Sequence, residues 1–198
     1  MSYLAEYDVL TLCRETHRTV LGLAESLDDD QLRWRPAGYS TSIAFHLWHL
    51  ARESDFLVAA ILQRAPELGP DFGEPDEIWT RRGLAAQWGF PPDLQTAVGT
   101  GLSDEAAAGL PLPERAALLA YLQAAYARVE DFVARLDERY PRLAALDEPL
   151  AKRIANIRLN LLVFLAHDGR HLGMMECLTG LQTGFGSATE RRPRQVPA

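Results

Sequence analysis

The stretch His167-Asp168-Gly169-Arg170-His171-Leu172-Gly173 directly follows an apolar run from Leu159 to Ala166. On a helix, two histidines four residues apart lie one above the other, with Cβ atoms roughly 5–6 Å apart. Both imidazole rings can then reach a single metal ion. The stretch therefore predicts a helix that presents His167 and His171 as a pair of metal ligands.

A second histidine pair lies in another apolar stretch, Ile43-Ala44-Phe45-His46-Leu47-Trp48-His49-Leu50-Ala51. Burying four imidazoles without a metal would require many hydrogen-bond partners, and these faces carry few polar residues. We therefore expect the two helices to meet and build a histidine metal site. Three neutral imidazoles with an open position for water form a recognised catalytic arrangement. The residues alone leave open whether His46 or His49 is the third ligand.

Three further polar residues near these pairs are given other interpretations. Cys13 and His17 are four residues apart on the first predicted helix, and we interpret His17 as structural. Asp168 directly follows His167, so its side chain points in a different direction around the helix. It is therefore not expected to bind the same ion. Glu53, one turn after His49, is expected to be a partner of the site or to face solvent.

Four long segments carry apolar residues at spacings of three and four, which indicates amphipathic helices. With no convincing strand pattern in the sequence, they predict an all-α four-helix bundle. Gly180 is a plausible terminator of the last helix. The predicted helices run from about Tyr3 to Leu27, from a cap offered by Ser40, Thr41 and Ser42 to Arg64, from Pro113 to Tyr140, and from Asn156 to Cys177 or slightly beyond. The third carries an apolar stripe that is expected to face the core: Leu118, Leu122, Ala125, Val129, Phe132, Val133 and Leu136.

The segment Glu67 to Pro113 is rich in glycine and proline and forms a long connection between the second and third helices. Short helical turns are predicted at Leu84–Trp88 and Asp104–Ala108. A loop of this length in a compact domain is usually functional or disordered. Four aromatic residues argue against disorder and favour a lid over the end of the bundle: Phe72, Trp79, Trp88 and Phe90.

Composition limits the classes of function. The net charge of −7 argues against a nucleic-acid binder, which needs a basic surface. No apolar run approaches the roughly 18 residues of a membrane span, and the first residues lack the features of a signal peptide. Cys13 and Cys177 fit no zinc-ribbon or redox spacing. We expect a cytoplasmic protein with one domain over residues 1–188 and a mobile tail over 189–198.

Both histidine stretches resemble a known family. The stretch from Ser42 to Arg52 looks like the second helix of the DinB-like superfamily, and Ile78 to Leu84 is similar to its crossover. The stretch from His167 to Gly173 also resembles this family. That likeness continues through Glu176, Leu178, Gly180, Leu181 and Gln182 to Gly186-Ser187-Ala188-Thr189.

The resemblance implies an up-down-down-up four-helix bundle with one divalent metal, often in a homodimer. The family's first ligand is the histidine before Leu-Ala, which is His49 here, and the other two ligands map onto His167 and His171. His46 matches an extra histidine found in one branch and is treated as a neighbour of the ligands. Met174 replaces a glutamine at a variable position, so a polar substrate contact there is not carried over.

The resemblance also implies two kinds of function. Characterised relatives include S-transferases that use low-molecular-weight thiols such as bacillithiol or mycothiol. We expect a metal-dependent enzyme with a small-molecule substrate, either such a transferase, with the thiol as cosubstrate, or a hydrolase. Zinc is the default metal, and imidazole ligands also suit nickel, iron and copper. The alternative is a non-catalytic metal-binding or ligand-binding stress protein, which a closed fourth ligand such as His46 would favour.

Overall fold

The computed structural model describes residues 9–36 and 40–184, and every regular element within these ranges is helical. The prediction of an all-α protein is therefore confirmed for this part of the chain. The long helices are α1 (Val9–Glu25), α3 (Ile43–Arg64), α7 (Arg115–Arg139) and α8 (Glu148–Thr183). The short helices are α2 (Asp29–Arg33), α4 (Ile78–Arg81), α5 (Leu84–Gln87) and α6 (Asp104–Ala108).

Helix α3 begins where the sequence predicts, because the Ser42 side chain accepts the backbone N–H of Phe45 at 3.2 Å. The predicted start and end of α8 were wrong. Asp147 caps the helix by accepting the N–H of Leu150 at 3.0 Å, and Pro149 is tolerated in the first turn. The helix therefore starts about two turns before the predicted position.

The far end of α8 also differs from the prediction. The helix continues through Gly180 and ends at Thr183, where Gly184 adopts the left-handed conformation with φ 74°. A glycine in this conformation at a helix end costs little, because it has no Cβ. The part of the first predicted helix that precedes Val9, and the predicted tail over residues 189–198, lie outside the described residues.

The four long helices form the core. Helices α1 and α3 each pack against both α7 and α8. The apolar stripe predicted for α7 is buried throughout: Leu118, Leu122, Ala125, Val129, Phe132, Val133 and Leu136. Within the described residues, no helix has both the length and the apolar character needed to cross a membrane. Cys13 is buried and Cys177 exposed, and neither forms a disulfide bond within the described residues.

The segment between α3 and α7 is fixed to the core by Asp55, which is fully buried. Its carboxylate accepts the backbone N–H groups of Ile78 at 2.9 Å and Trp79 at 2.8 Å. It also accepts the Tyr121 hydroxyl at 3.1 Å and pairs with Arg128 at 2.6 Å. A buried carboxylate with this many donors is well compensated for its lost hydration.

Arg52, one turn before Asp55, holds the later part of the same segment. Its guanidinium pairs with Glu77 and lies 4.8 Å from the centre of the Trp79 ring. It also donates to the backbone carbonyls of Ala97 at 3.1 Å and Thr96 at 3.4 Å. These bonds place residues 96–99 against the first turns of α3.

Candidate metal centre

The structure brings together the three histidines selected from the sequence: His49 on α3, and His167 and His171 on α8. One ring nitrogen of each lies within 4.8 Å of the other two. The His167 Nε2 atom is 3.1 Å from Nε2 of His49 and 3.1 Å from Nε2 of His171. We refer to these three residues as the histidine cluster.

The His49 ring is oriented by the backbone of the segment between α3 and α7. Its Nδ1–H donates to the carbonyl of Val98 at 2.6 Å. Since a carbonyl can only accept, this bond fixes the proton on Nδ1 and leaves a lone pair on Nε2. The His49 Nε2 atom thus faces the cluster with its lone pair.

Gly99 is required for this close approach. Its φ is +103°, and a Cβ added there would lie 2.9 Å from the Trp48 ring and 3.1 Å from Nδ1 of His49. A side chain at this position would push the backbone, and the Val98 carbonyl with it, away from the His49 ring. Only glycine satisfies both the conformation and the contact.

His171 is oriented by His46 in a comparable way. The Nδ1 atoms of the two rings are 2.8 Å apart, and the His46 Nε2 atom is 3.0 Å from the Thr41 hydroxyl. With the His171 proton on Nδ1, it donates to His46, and Nε2 of His171 presents its lone pair to the cluster. Both ring nitrogens of His46 therefore have a partner, the Nδ1 atom of His171 and the Thr41 hydroxyl.

His167 is backed by a buried carboxylate. Its Nδ1 atom is buried, has no hydrogen-bond partner among the described residues, and lies 3.6 Å from Oδ1 of Asp168. Asp168 does not point into the cluster, as the sequence predicts. Its position suits a group that orients a ligating imidazole from behind.

His17 lies behind Asp168, outside the cluster. Its Nε2 is 3.7 Å from Oδ2 of Asp168, and its Nδ1 is 2.8 Å from Oε1 of Glu130. The ring also stacks on Tyr126, with ring centres 3.7 Å apart. The structural interpretation of His17 agrees with this placement.

Burial lowers the pKa of His46, His49 and His171 and so favours their neutral forms. It lowers the pKa of His46 to about 4, with a smaller contribution from His49. Burial, then the neighbouring histidines and Arg170, lower the pKa of His171 to about 3. Burial also lowers the pKa of His49, although the Val98 bond and the charges of Glu53 and Asp168 oppose it. Neutral imidazoles are the form that binds metals.

A cavity of about 530 Å³ opens over the histidine cluster. Part of its wall comes from the segment between α3 and α7, including Gly99, Thr100 and Leu102. The Thr100 hydroxyl donates to Glu53 at 3.0 Å, so a carboxylate stands on this wall. Trp79 and Trp88 are not part of the wall. They pack against Tyr121 of α7, with ring centres 5.6 and 5.8 Å away, so the part of this segment that borders the cavity lies after them in the chain.

A family model described as the DinB superfamily matches residues 12–175. The chain belongs to the DinB superfamily. The match includes all three histidines of the cluster, His49 on α3 and His167 and His171 on α8. A search of the curated proteins found no match to the chain.

The residues of this DinB protein fit a divalent metal ion. The His49 ring is fixed with its proton on Nδ1, and the His171 ring presents its Nε2 lone pair to the cluster when its own proton is on Nδ1. The Nε2 atom of His167 lies 3.1 Å from the Nε2 atoms of both rings. Ligand nitrogens about 2.0–2.1 Å from a zinc ion would have a similar mutual separation. The Nδ1 atom of His167 is buried beside Asp168 and has no hydrogen-bond partner among the described residues. This ring too is placed with one nitrogen in the cluster and the other behind it. The three residues could therefore hold a metal ion.

Sequence reasoning missed the groups that orient the ligands in this DinB protein. The Val98 carbonyl is a backbone atom, and Gly99 is one of several glycines in its segment, so neither carries a sequence signal. Thr41 was considered only as a helix cap. Asp168 was excluded as a ligand, and its adjacency to His167 was the one usable indication of its position behind the ring.

Proposed function

We propose that this DinB-superfamily protein is a metal-dependent enzyme whose divalent ion is held by His49, His167 and His171. The observation that carries the proposal is the convergence of three imidazole rings on the floor of a cavity. We propose zinc as the metal. The substrate is a small molecule, and the reaction is either thiol-dependent S-transfer or hydrolysis.

The position of His46 supports an enzyme over a non-catalytic metal protein. A fourth histidine ligand would close the coordination sphere, as in structural zinc sites. Both nitrogens of His46 instead contact His171 and Thr41, and the cavity lies over the other three rings. This arrangement leaves room for a substrate group beside the three ligands.

A divalent metal bound there would act as a Lewis acid and lower the pKa of a water or thiol near it. The chain itself supplies a proton acceptor, since the Glu53 carboxylate stands on the cavity wall. Its Oε atoms can take the proton from an entering thiol or water, and Thr100 holds the carboxylate in place. The apolar side chains Phe45, Leu102 and Val163 exclude water around the reacting groups.

The proposal includes the up-down-down-up bundle topology, and the direction of the contacts supports it. His49 contacts His167 and the Arg64 carbonyl contacts Arg153, so α3 and α8 run antiparallel. Arg115 donates to the Glu25 carbonyl, whereas His17 contacts Glu130, so α1 and α7 also run antiparallel. A single domain over residues 1–188 and a cytoplasmic homodimer complete the proposal.

The experiment is a turnover screen of zinc-loaded protein. Low-molecular-weight thiols would be paired with a soft electrophile, and esters would be tested for hydrolysis. We expect turnover that His49→Ala abolishes and that Glu53→Gln lowers about 10²-fold while zinc remains bound. Glu138→Gln, which replaces an exposed carboxylate on α7, is the matched control and should keep full activity.

Two results would contradict the proposal. One is zinc-loaded protein that turns over neither thiols nor esters. The other is activity that survives His49→Ala. If Glu53→Gln keeps full activity while His49→Ala is inactive, the enzyme proposal stands and only the role of Glu53 is wrong.

A further inference from the structure

Behind the histidine cluster lies a second group of polar side chains, which the proposed reaction does not use. Its members come from three of the long helices: His17 on α1, Tyr126 and Glu130 on α7, and Asp168 on α8. His17 is 3 % exposed and Asp168 is 4 % exposed. Burying such groups costs free energy unless they meet polar partners, and both of them have such partners here.

The His17 ring is fixed in position by α7. Its Nδ1 atom lies 2.8 Å from Oε1 of Glu130, and because a carboxylate oxygen accepts, the Nδ1–H donates this bond. The ring stacks on Tyr126, with the ring planes 7° apart and the ring centres 3.7 Å apart. The hydrogen bond and the stacking together set the position and the plane of the imidazole. Its other nitrogen, Nε2, therefore has a fixed direction.

The Nε2 atom of His17 faces Asp168. It lies 3.7 Å from Oδ2, which is the distance of an ion pair although it is longer than a hydrogen bond. A doubly protonated imidazole donates from both nitrogens and so satisfies the carboxylates on either side of it. A cavity of about 10 Å³ beside the pair has room for about one water molecule, so bulk solvent does not screen the attraction.

Asp168 connects this group to the histidine cluster. Its Oδ1 atom lies 3.6 Å from Nδ1 of His167, so its two oxygens face His17 on one side and His167 on the other. The outer nitrogen of a metal-bound imidazole is the atom through which a carboxylate orients the ring. Glu130, His17, Asp168 and His167 thus form a chain of contacts from α7 through α1 to α8.

We propose that His17 is a positioning residue of the metal centre. It holds the Asp168 carboxylate behind His167, and the carboxylate in turn aims the His167 ring so that Nε2 faces the other two ligands. Glu130 supports His17 from the far side. Without His17, the carboxylate loses the cation that faces its Oδ2 atom and can rotate away from His167. The inference rests on the proposed function, because it assigns His17 to the metal site of that enzyme.

The test compares three substitutions of His17 by their zinc affinity, measured by competition with a chelator. His17→Phe keeps a ring stacked on Tyr126 but removes both nitrogens, so zinc affinity should fall about tenfold. In His17→Asn, the amide nitrogen takes the place of Nδ1 and does not reach Asp168, so the same loss is expected. In His17→Gln, the amide nitrogen takes the place of Nε2 and donates to Asp168, so zinc affinity should stay within about threefold of wild type.

The visible absorption of bound cobalt(II) gives a second readout, because it depends on the geometry of the ligands. His17→Phe should shift this absorption, and His17→Gln should restore the wild-type spectrum. A residue that only stabilises the fold would act differently. Its loss would lower the urea midpoint of metal-free protein but would change neither the cobalt spectrum nor the zinc affinity of the folded protein.

Thr179→Val is the matched control. It removes a buried hydroxyl of α8 that donates to the Met175 carbonyl at 2.9 Å, three turns beyond His167. This variant should lower the stability of metal-free protein and leave zinc affinity and the cobalt spectrum unchanged. A loss of zinc affinity in Thr179→Val as large as that in His17→Phe would overturn the proposal.

Two further outcomes separate this inference from the proposed function. Wild-type protein that binds neither zinc nor cobalt would refute the metal centre, and the role of His17 with it. Wild-type protein that binds both metals, with the same affinity and spectrum in His17→Phe, would refute only the role of His17. If His17→Phe does not fold, the other two variants decide, and equal zinc affinities of His17→Asn and His17→Gln would overturn the proposal.

Discussion

The histidine cluster and the Arg52–Asp55 pair both bury polar side chains along α3, less than two turns apart. Around Arg52 and Asp55, the donors and acceptors meet partners from the same chain, including Glu77, Tyr121 and Arg128. In the histidine cluster, ring nitrogens lie 3.1 Å apart beneath an open cavity, and the buried Nδ1 atom of His167 has no hydrogen-bond partner among the described residues. Buried polar groups whose hydrogen-bond partners all come from the same chain stabilise the fold. Buried polar groups that are held in place but still lack a partner are available to bind a ligand.

The largest expected effect concerns the complete cluster. Asp55→Ala leaves Arg128 and two backbone N–H groups buried without their acceptor, so the free energy of unfolding should fall by about 3–5 kcal/mol. Asp131→Ala removes the exposed partner of Arg135 and should change stability by less than about 1 kcal/mol. Urea denaturation of both variants measures the difference. Equal stability of the two variants would contradict the structural role of Asp55.

The next effect concerns the histidine that orients a ligand. His46→Ala removes the partner of the His171 Nδ1 atom but none of the three ligands. Zinc affinity, measured by competition with a chelator, should therefore fall about 10–100-fold while saturating zinc still binds. Thr41→Val is the milder companion, because it touches only the far side of His46. If His46→Ala abolishes zinc binding while His49→Ala retains it, the assignment of the two histidines is reversed.

Alanine substitutions of Gly99 and Gly101 test whether the Val98 carbonyl orients the His49 ring. Gly99 and Gly101 both have positive φ, but only Gly99 has atoms within 4 Å of an added Cβ. Both alanine variants should lose about 1 kcal/mol of stability from backbone strain. Gly99→Ala should lose more, because its Cβ would also press on the Trp48 and His49 rings. Only Gly99→Ala displaces the Val98 carbonyl, and its zinc affinity should fall about tenfold. The same zinc affinity in both variants would show that the carbonyl does not orient His49.

The smallest expected effect is on the pH dependence of stability in metal-free protein. The pKa of His46 is about 4 in the folded state and about 6.5 in the unfolded state, so the unfolded chain binds the additional proton between these values. The stability from a neutral His46 is complete above about pH 6.5 and is lost as pH falls towards 4, with a slope of at most about 1.4 kcal/mol per pH unit. His46→Gln should have a shallower slope in urea denaturation. An identical slope would contradict this.

Much of this organisation follows from the sequence, because helical spacing fixes which residues share a face. The spacing of His167 and His171 predicted that their rings lie together, and the apolar stripe of α7 predicted its buried residues. The predicted start of α8 was wrong because proline interrupts the interior of a helix but is favoured in its first turn, where Pro149 lies. The choice of His49 over His46 came from family resemblance, since local spacing allows either.

What the sequence could not provide are contacts made by backbone atoms across the fold. The Val98 carbonyl reaches His49 only because Arg52 holds residues 96 and 97 against α3. No local pattern encodes a contact between residues 49 positions apart in the chain. The burial of His17 behind Asp168 depends in the same way on how α1 packs against α8.

The most direct test of the central claim is the metal content of untagged protein after zinc loading and dialysis, measured by mass spectrometry of the elements. The wild-type chain and His46→Ala should each hold about one equivalent of zinc. His49→Ala, His167→Ala and His171→Ala should each lose most of it, because two imidazoles bind a divalent ion far more weakly than three. Unchanged zinc content across all four variants, or none in the wild-type chain, would contradict the metal centre described above.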